Sequence, residues 1–229
     1  MVRLETSVRG SRDRSAMSTN AVRKIPRGEQ RRKELVDIAE NIFLELGYAD
    51  TTMRTIAERA GASKETLYRH FASKELLFAE IVRRKAAEIN GPNAAVTRGG
   101  LPKFVLTELA LGLLHHILSN QSTSLLRMVV TEAGRTQELG EMFYRLGPGS
   151  TVDRLVVYLK GAVKRGELDC DQPLMAARVF LGAVVSHFHF QCLIQAGPNR
   201  PSERQIRQHV QTVVDMFLAR YGRMGGEAG

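Results

Sequence analysis

One short run, Lys64-Glu65-Thr66-Leu67-Tyr68-Arg69-His70, brings hydrogen-bond donors and acceptors together within two helical turns. Lys and Arg donate to phosphates and to guanine N7 and O6, Glu accepts from cytosine N4, and Thr, Tyr and His reach either kind of partner. At helical spacing Leu67 and Phe71 mark a buried side. Glu65, Thr66 and Arg69 then lie opposite, with Lys64, Tyr68 and His70 on the flanks. Such a face suits base edges and phosphates. It would serve equally as the solvated side of an ordinary helical hairpin.

Other constellations say less. His115-His116, His187, His189 and Cys192 raise a metal site, and His189 and Cys192 share a face at i, i+3. They lack a carboxylate partner and a third ligand at matched spacing, so core or interface histidines and no metal are expected. Two cysteines, Cys170 and Cys192, make neither a disulfide framework nor a CxxC…CxxC zinc pattern. Gly147-Pro148-Gly149-Ser150-Thr151 could hold an anion at a helix start. It has no GK[ST], so it reads as a helix-start turn. HExxH, GxSxG and GxGxxG are all missing, and neither a cofactor nor an enzymatic activity is expected.

The elements that must position the run read as all-α. From Glu29, Leu35, Ile38, Ala39, Ile42, Phe43 and Leu46 form one apolar stripe, and Gly47 follows where a C-terminal cap belongs. Thr52, Ser63 and Ser73 then stand before helices at 53–60, 64–71 and 74–89, each able to accept a bond from a first-turn N–H. Ala57, Gly61 and Leu67 suit the crossing of a helix-turn-helix, whose second helix can enter a major groove. Asn90-Gly91-Pro92-Asn93 ends the fourth helix. Further helices are expected at about 101–119, 121–134, 136–146, 151–165, 172–195 and 202–221. Their breaks fall at Asn120, Arg135, Gly147-Pro148-Gly149, Gly166 to Asp171 and Ala196-Gly197-Pro198, and Ser150 with Asp153 resembles a capping box.

The chain of 229 residues, 43% hydrophobic and 25% charged, is long enough for one large or two small domains. Its opening lacks the apolar core of a secretory signal. The nearest approach to a membrane span, Val179 to Ile194, is interrupted by Ser186, His187, His189 and Gln191, so a reducing, cytoplasmic setting is expected. The net charge of +9 is uneven: residues 1–33 carry +7, whereas residues 34–85 carry −1. A basic arm on a near-neutral body suits an anionic partner, nucleic acid before membrane, or else is a solvated tail. Residues 1–26 read as a flexible arm, with Met17 a second candidate start.

The run from Thr52 to Leu77 closely resembles the DNA-binding domain of the tetracycline-repressor (TetR) family of bacterial transcription regulators. The matching positions are Thr52, Ile56-Ala57, Ala60-Gly61, Ser63, Leu67-Tyr68, His70-Phe71 and Lys74-Glu75 with Leu76 and Leu77. The looser match covers 29–85. The resemblance implies backbone-phosphate contacts from Thr52 and Arg54, from Tyr68 and His70, and from Lys74. Met53 departs from the polar residue often found beside them. Lys64, Glu65 and Arg69 fall where family members vary and base preference is set, and Thr66 completes the recognition helix. Arg69 would favour guanine, and the basic arm would reach an adjacent backbone or minor groove.

The resemblance further implies an N-terminal three-helix helix-turn-helix domain at 27–73 and a helical effector-binding and dimerisation domain at 74–222, with a basic arm at 1–26 and a frayed tail at 223–229. A homodimer through helices near 172–195 and 202–221 would bind a double-stranded operator. The apolar residues expected to widen that face are Met175, Val179, Leu181, Val185 and Phe188 on one helix, with Ile206, Val210, Val213, Val214, Phe217 and Tyr221 on the other. The middle helices would form a small-molecule pocket. His116, Arg127, Met128, Phe143, Tyr144, Leu155, Tyr158 and Phe180 offer an apolar lining with a few polar groups, which would serve as plain core as well. LLRMVVTEAGRTQELGEMFY resembles the AcrR/AefR-like branch. The expected function is a dimeric repressor released from a pseudo-palindromic operator by an effector. The alternatives are a helical ligand-binding protein or enzyme with a helix-turn-helix-like hairpin, and a non-specific binder using the arm.

Overall fold

The stripe that begins near Glu29 folds as α1 (Arg27–Leu46), with Leu35, Val36, Ala39, Ile42 and Phe43 buried and Gly47 following at φ +82°. Residues 27–90, 95–195 and 200–223 are described by this computed structural model. The basic arm at 1–26, the breaks at 91–94 and 196–199 and the tail from 224 onward therefore lie outside the described residues.

The three expected caps form. Thr52 Oγ1 accepts the Thr55 N–H at 3.1 Å at the start of α2 (Met53–Arg59). Ser63 Oγ accepts the Thr66 N–H at 3.1 Å at the start of α3 (Lys64–His70). Ser73 Oγ accepts the Leu76 N–H at 3.3 Å at the start of α4 (Lys74–Asn90). Between α2 and α3, Gly61 adopts φ +55°, a left-handed conformation that a side chain would strain. The Ala62 N–H closes that turn onto the Ala57 carbonyl at 2.9 Å.

Beyond α4 come α5 (Ala95–Arg98), α6 (Pro102–Ile117), α7 (Asn120–Ala133), α8 (Gln137–Tyr144), α9 (Ser150–Lys164), α10 (Pro173–Ile194) and α11 (Glu203–Tyr221). The one-turn α5 had no counterpart among the expected elements. Ser119, not Asn120, marks the start of α7, accepting the Ser122 N–H at 3.2 Å. Among the described residues the only β feature is an isolated bridge between Leu168 and Gly222.

The expected break and capping box at Gly147–Asp153 are corrected. Arg145–Gly149 is a π-helical segment that carries α8 straight into α9. Pro148 has no N–H to continue an α-helical ladder, and a wider turn accommodates it. Ser150 Oγ caps nothing at the helix start; it donates to the Leu146 and Gly147 carbonyls at 3.0 and 2.8 Å. Gly149 passes so close that a Cβ there would meet the Tyr144 carbonyl oxygen at 3.0 Å.

Among the described residues two hydrophobic cores result. One joins α1 to α4 with Leu125 and Val129 of α7 and Leu139 of α8. The other joins α5, α6, α9, α10 and α11. Packing therefore crosses the 73/74 boundary, and α4 serves both sides. By length and composition α10 could cross a membrane, but Ala176, Ala177, Phe180, Leu181, Val184 and Phe188 lie buried in the second core.

Candidate nucleic-acid interface and ligand cavity

Wholly buried Leu67 and nearly buried Phe71 anchor α3 against α1 and α2. Lys64, Glu65, Tyr68 and Arg69 are exposed on its free side, while Thr66 and His70 are half-buried. Among the described residues, no ion pair engages Lys64, Glu65 or Arg69. This leaves charged groups available on a rigid helix.

The scaffold beneath uses its own arginines. Arg59 of α2 pairs with Glu45 of α1, and Arg31 of α1 donates to the Ala60 carbonyl at 2.8 Å, capping the end of α2. Arg32 pairs with Glu80 of α4 at 2.6 Å and stacks its guanidinium 4.9 Å from the Phe71 ring centre. That hydrogen bond holds the Glu80 carboxyl below the usual carboxylate range. Phe43, Tyr48 and Phe78 fill the centre with ring centres 5.4 to 5.6 Å apart.

The residues implied for phosphate contact differ in availability. Thr52 is exposed, though its hydroxyl already serves the cap and the Thr55 hydroxyl at 2.9 Å. Arg54 is exposed and paired along its own helix with Glu58 at 2.7 Å. Lys74 is half-buried, donating to the Tyr48 carbonyl at 2.8 Å and lying 4.4 Å from that ring's centre. Its ammonium fixes the turn after α1, leaving at most part of its donor capacity for DNA.

A second site lies farther along the chain. A cavity of about 440 Å³ opens between α4, α6, α7, the end of α8, α9, α10 and the π-helical segment. Ile89, Leu113, Leu126, Phe143, Val152 and Val185 represent its apolar wall. Among the described residues its polar lining is Lys85, His116, Ser122, Tyr144, Thr151, Arg178 and His189, with no carboxylate. Burial pushes both His116 and His189 below the ordinary histidine value, favouring neutral imidazoles. His116 Nδ1 stands 3.0 Å from Glu88, and Nε2 3.3 Å from Ser122 Oγ.

Of the residues named for a pocket, His116, Phe143 and Tyr144 line the cavity. Leu155, Tyr158 and Phe180 sit instead in the second core, where the Tyr158 hydroxyl donates to the Gly100 carbonyl at 2.8 Å. Met128 packs against the first core. Arg127 donates to the Cys192, Leu193 and Gln195 carbonyls at 2.6, 3.2 and 3.3 Å, satisfying the end of α10. Lys85, which follows Arg83 and Arg84, was not among the residues named for a pocket. The signal that would have found it is position: Leu77, Ile81, Lys85 and Ile89 step by four along the buried side of α4. Similarly, His189 continues the steps of four from Leu181 and Val185.

Much of the apolar face read for partner contact is already used. Leu181, Phe188, Ile206, Val210, Val213, Val214 and Phe217 are buried within this chain, with Val185 and Tyr221 half-buried. What remains outside is a strip on α10, with Leu174, Met175, Val179, Phe190 and Ile194 exposed, and Met216 on α11. Among the described residues no three His, Cys, Asp or Glu side chains gather as a metal site.

Residues 35–81 match the family model described as bacterial regulatory proteins of the tetR family. Residues 104–223 match that of the C-terminal domain of AefR-like transcriptional repressors. A crystal structure of a putative TetR-family transcriptional regulator from Mesorhizobium loti aligns over 86% of this chain and 100% of its own, with TM-score 0.73 and 29% identity. The flavonoid-responsive regulator FrrA aligns over the same shares, with TM-score 0.70 and 28% identity. The transcriptional repressor KstR2 of Rhodococcus jostii is 42% identical over 71 residues, which are 31% of this chain and 35% of that protein. The chain thus spans about a third of that curated relative's length.

Proposed function

The chain belongs to the TetR family of bacterial transcription regulators, and we propose that it is a dimeric repressor that leaves a pseudo-palindromic operator when a small molecule fills the cavity. The observation that carries this reading is the free face of α3, where Lys64, Glu65, Tyr68 and Arg69 project from a helix locked by Leu67 and Phe71. Arg69 and Glu65 read base edges in the major groove. Tyr68, His70, Arg54 and Thr52 hold the backbone, and Lys74 supports the turn that aims them.

One recognition helix reads only a few base pairs, so two copies must act together. The exposed strip of α10, Met175, Val179, Phe190 and Ile194, with Met216 of α11, supplies an apolar surface for a second copy. Two recognition helices about 34–36 Å apart sit in successive major grooves. Filling the cavity beside α4 favours a different spacing, and operator affinity falls by the ligand's differential affinity for the two arrangements. The name of one similar protein, the flavonoid-responsive regulator FrrA, accords with a small organic effector. No catalytic role is proposed, and such a regulator works in the cytoplasm.

Footprinting of the purified full chain on the DNA upstream of its own gene tests the reading. The expected result is a protected site with two-fold symmetry, bound at least 1,000-fold more tightly than random DNA at moderate salt. Equal affinity for both DNAs would overturn it.

A further inference from the structure

Lys85 is the one cation of α4 that faces both the cavity and the DNA-binding domain. Its side chain is only 16% exposed. From the cavity wall, its ammonium lies 3.2 Å from Glu40 of α1 and 2.6 Å from the Gln121 side-chain oxygen of α7. Glu40 is itself almost wholly buried and does not line the cavity. The hydrogen bond to Gln121 uses one ammonium donor and the contact with Glu40 is an ion pair without a hydrogen bond, so donor capacity remains for a ligand oxygen.

The rest of the lining discriminates by charge. Lys85 and Arg178 are cationic, and Arg178, exposed at the cavity rim, makes no ion pair among the described residues. Among the described residues nothing acidic lines the wall to receive a cation, and Glu88, outside the lining, is engaged by His116. His189 adds an imidazole that can donate to an anion, whereas His116 and Ser122 are engaged with Glu88 and with each other. The remaining surface is apolar and aromatic. A neutral molecule would leave Lys85 on Glu40, and a cation would meet two like charges. An anion gains a charge-assisted bond in a site where burial strengthens it.

We propose that the effector is an apolar monocarboxylate whose carboxylate binds Lys85 in competition with Glu40 while its body fills the cavity. The proposal rests on the ligand-regulated reading above and specifies both the chemical class and the contact that transmits occupancy. Sharing the ammonium loosens the buried tie between α4 and α1. The surface pairs Arg84–Asp37 and Arg32–Glu80 remain between the same two helices, at 2.8 and 2.6 Å. The helices can therefore shift against each other without separating.

Calorimetry on the full chain, with dodecanoate, dodecan-1-ol and dodecylamine as probes of matched length, tests this. Dodecanoate is expected to bind the wild type at least 10-fold more tightly than dodecan-1-ol, with dodecylamine weakest. Glu40→Gln, which keeps Lys85 and removes its competing carboxylate, should tighten dodecanoate at least 3-fold and leave dodecan-1-ol unchanged. In the double variant Glu40→Gln/Lys85→Met, which buries no orphaned charge, the two should bind within about 2-fold. Equal binding of acid and alcohol by the wild type, or a preference that survives the double variant, would overturn the proposal. Operator footprinting of the same preparation reads the regulator assignment separately. A footprint without carboxylate preference sinks only the effector class; carboxylate preference without a footprint sinks only the regulator.

Discussion

Leu35, Phe43, Ile56, Leu67 and Phe78 of the N-terminal helices are wholly buried against one another, whereas α4, α6, α7, α9 and α10 stand apart around about 440 Å³. The two regions also treat charge differently. Around α1 to α4, Arg31, Arg32, Arg59 and Lys74 tie helix to helix, and the unpaired charges of α3 face solvent. In the C-terminal bundle, Lys85 and Arg178 face a hollow, and the outer side of α10 is apolar. A reader of base edges needs its side chains held to within a fraction of an ångström. A sensor must keep space that something else can fill, and rigid packing would defeat it.

The largest effect separates the solid region from the hollow one. Leu67→Ala should cost about 2–5 kcal/mol of stability in denaturant unfolding, because the site under α3 cannot collapse. Leu126→Ala, which widens a space already present, should cost less than about 1.5 kcal/mol. Equal losses would erase the contrast.

Phe190→Asp addresses the outer face of α10, where this ring is 65% exposed. Sedimentation should show the dimer weakened at least 100-fold, about 2.7 kcal/mol, with little change in the helical circular dichroism of the monomer. A dimer of undiminished strength would remove this strip from the interface.

Arg69→Ala should lower operator affinity by about 1–3 kcal/mol and relax preference at one base position, while the Tm stays within error. A large drop in Tm would mean that the α3 face is structural after all. Smallest is Ser63→Ala, which removes the cap of α3 and should cost about 0.5–2 kcal/mol by thermal unfolding.

The contrast between regions is also a contrast in legibility. Thr52, Ser63, Ser73, Gly47 and Gly61 act on neighbours within five residues, so their roles could be read from local spacing. The α3 face followed from Leu67 and Phe71 alone. In the C-terminal bundle, apolar and aromatic residues look the same in a core as in a cavity wall. Leu155, Tyr158 and Phe180 proved to be core, and Arg127 went to the end of α10, 65 to 68 residues away in sequence. Gly147-Pro148-Gly149 misled for a related reason. Proline and glycine usually end helices, but here a wider turn and the Ser150 hydroxyl restore the lost bonds.

By itself, then, the sequence determined the longer helices, the caps at Thr52, Ser63 and Ser73, the motif and hence the family, because each depends on residues a turn or two apart. Which apolar side chains leave a space between them was decided only in the folded molecule. So was the inward turn of one lysine in a basic run toward Glu40, 45 positions earlier in the chain. Both depend on how far apart whole helices stand, a distance set by the sum of all their contacts and carried by no local pattern.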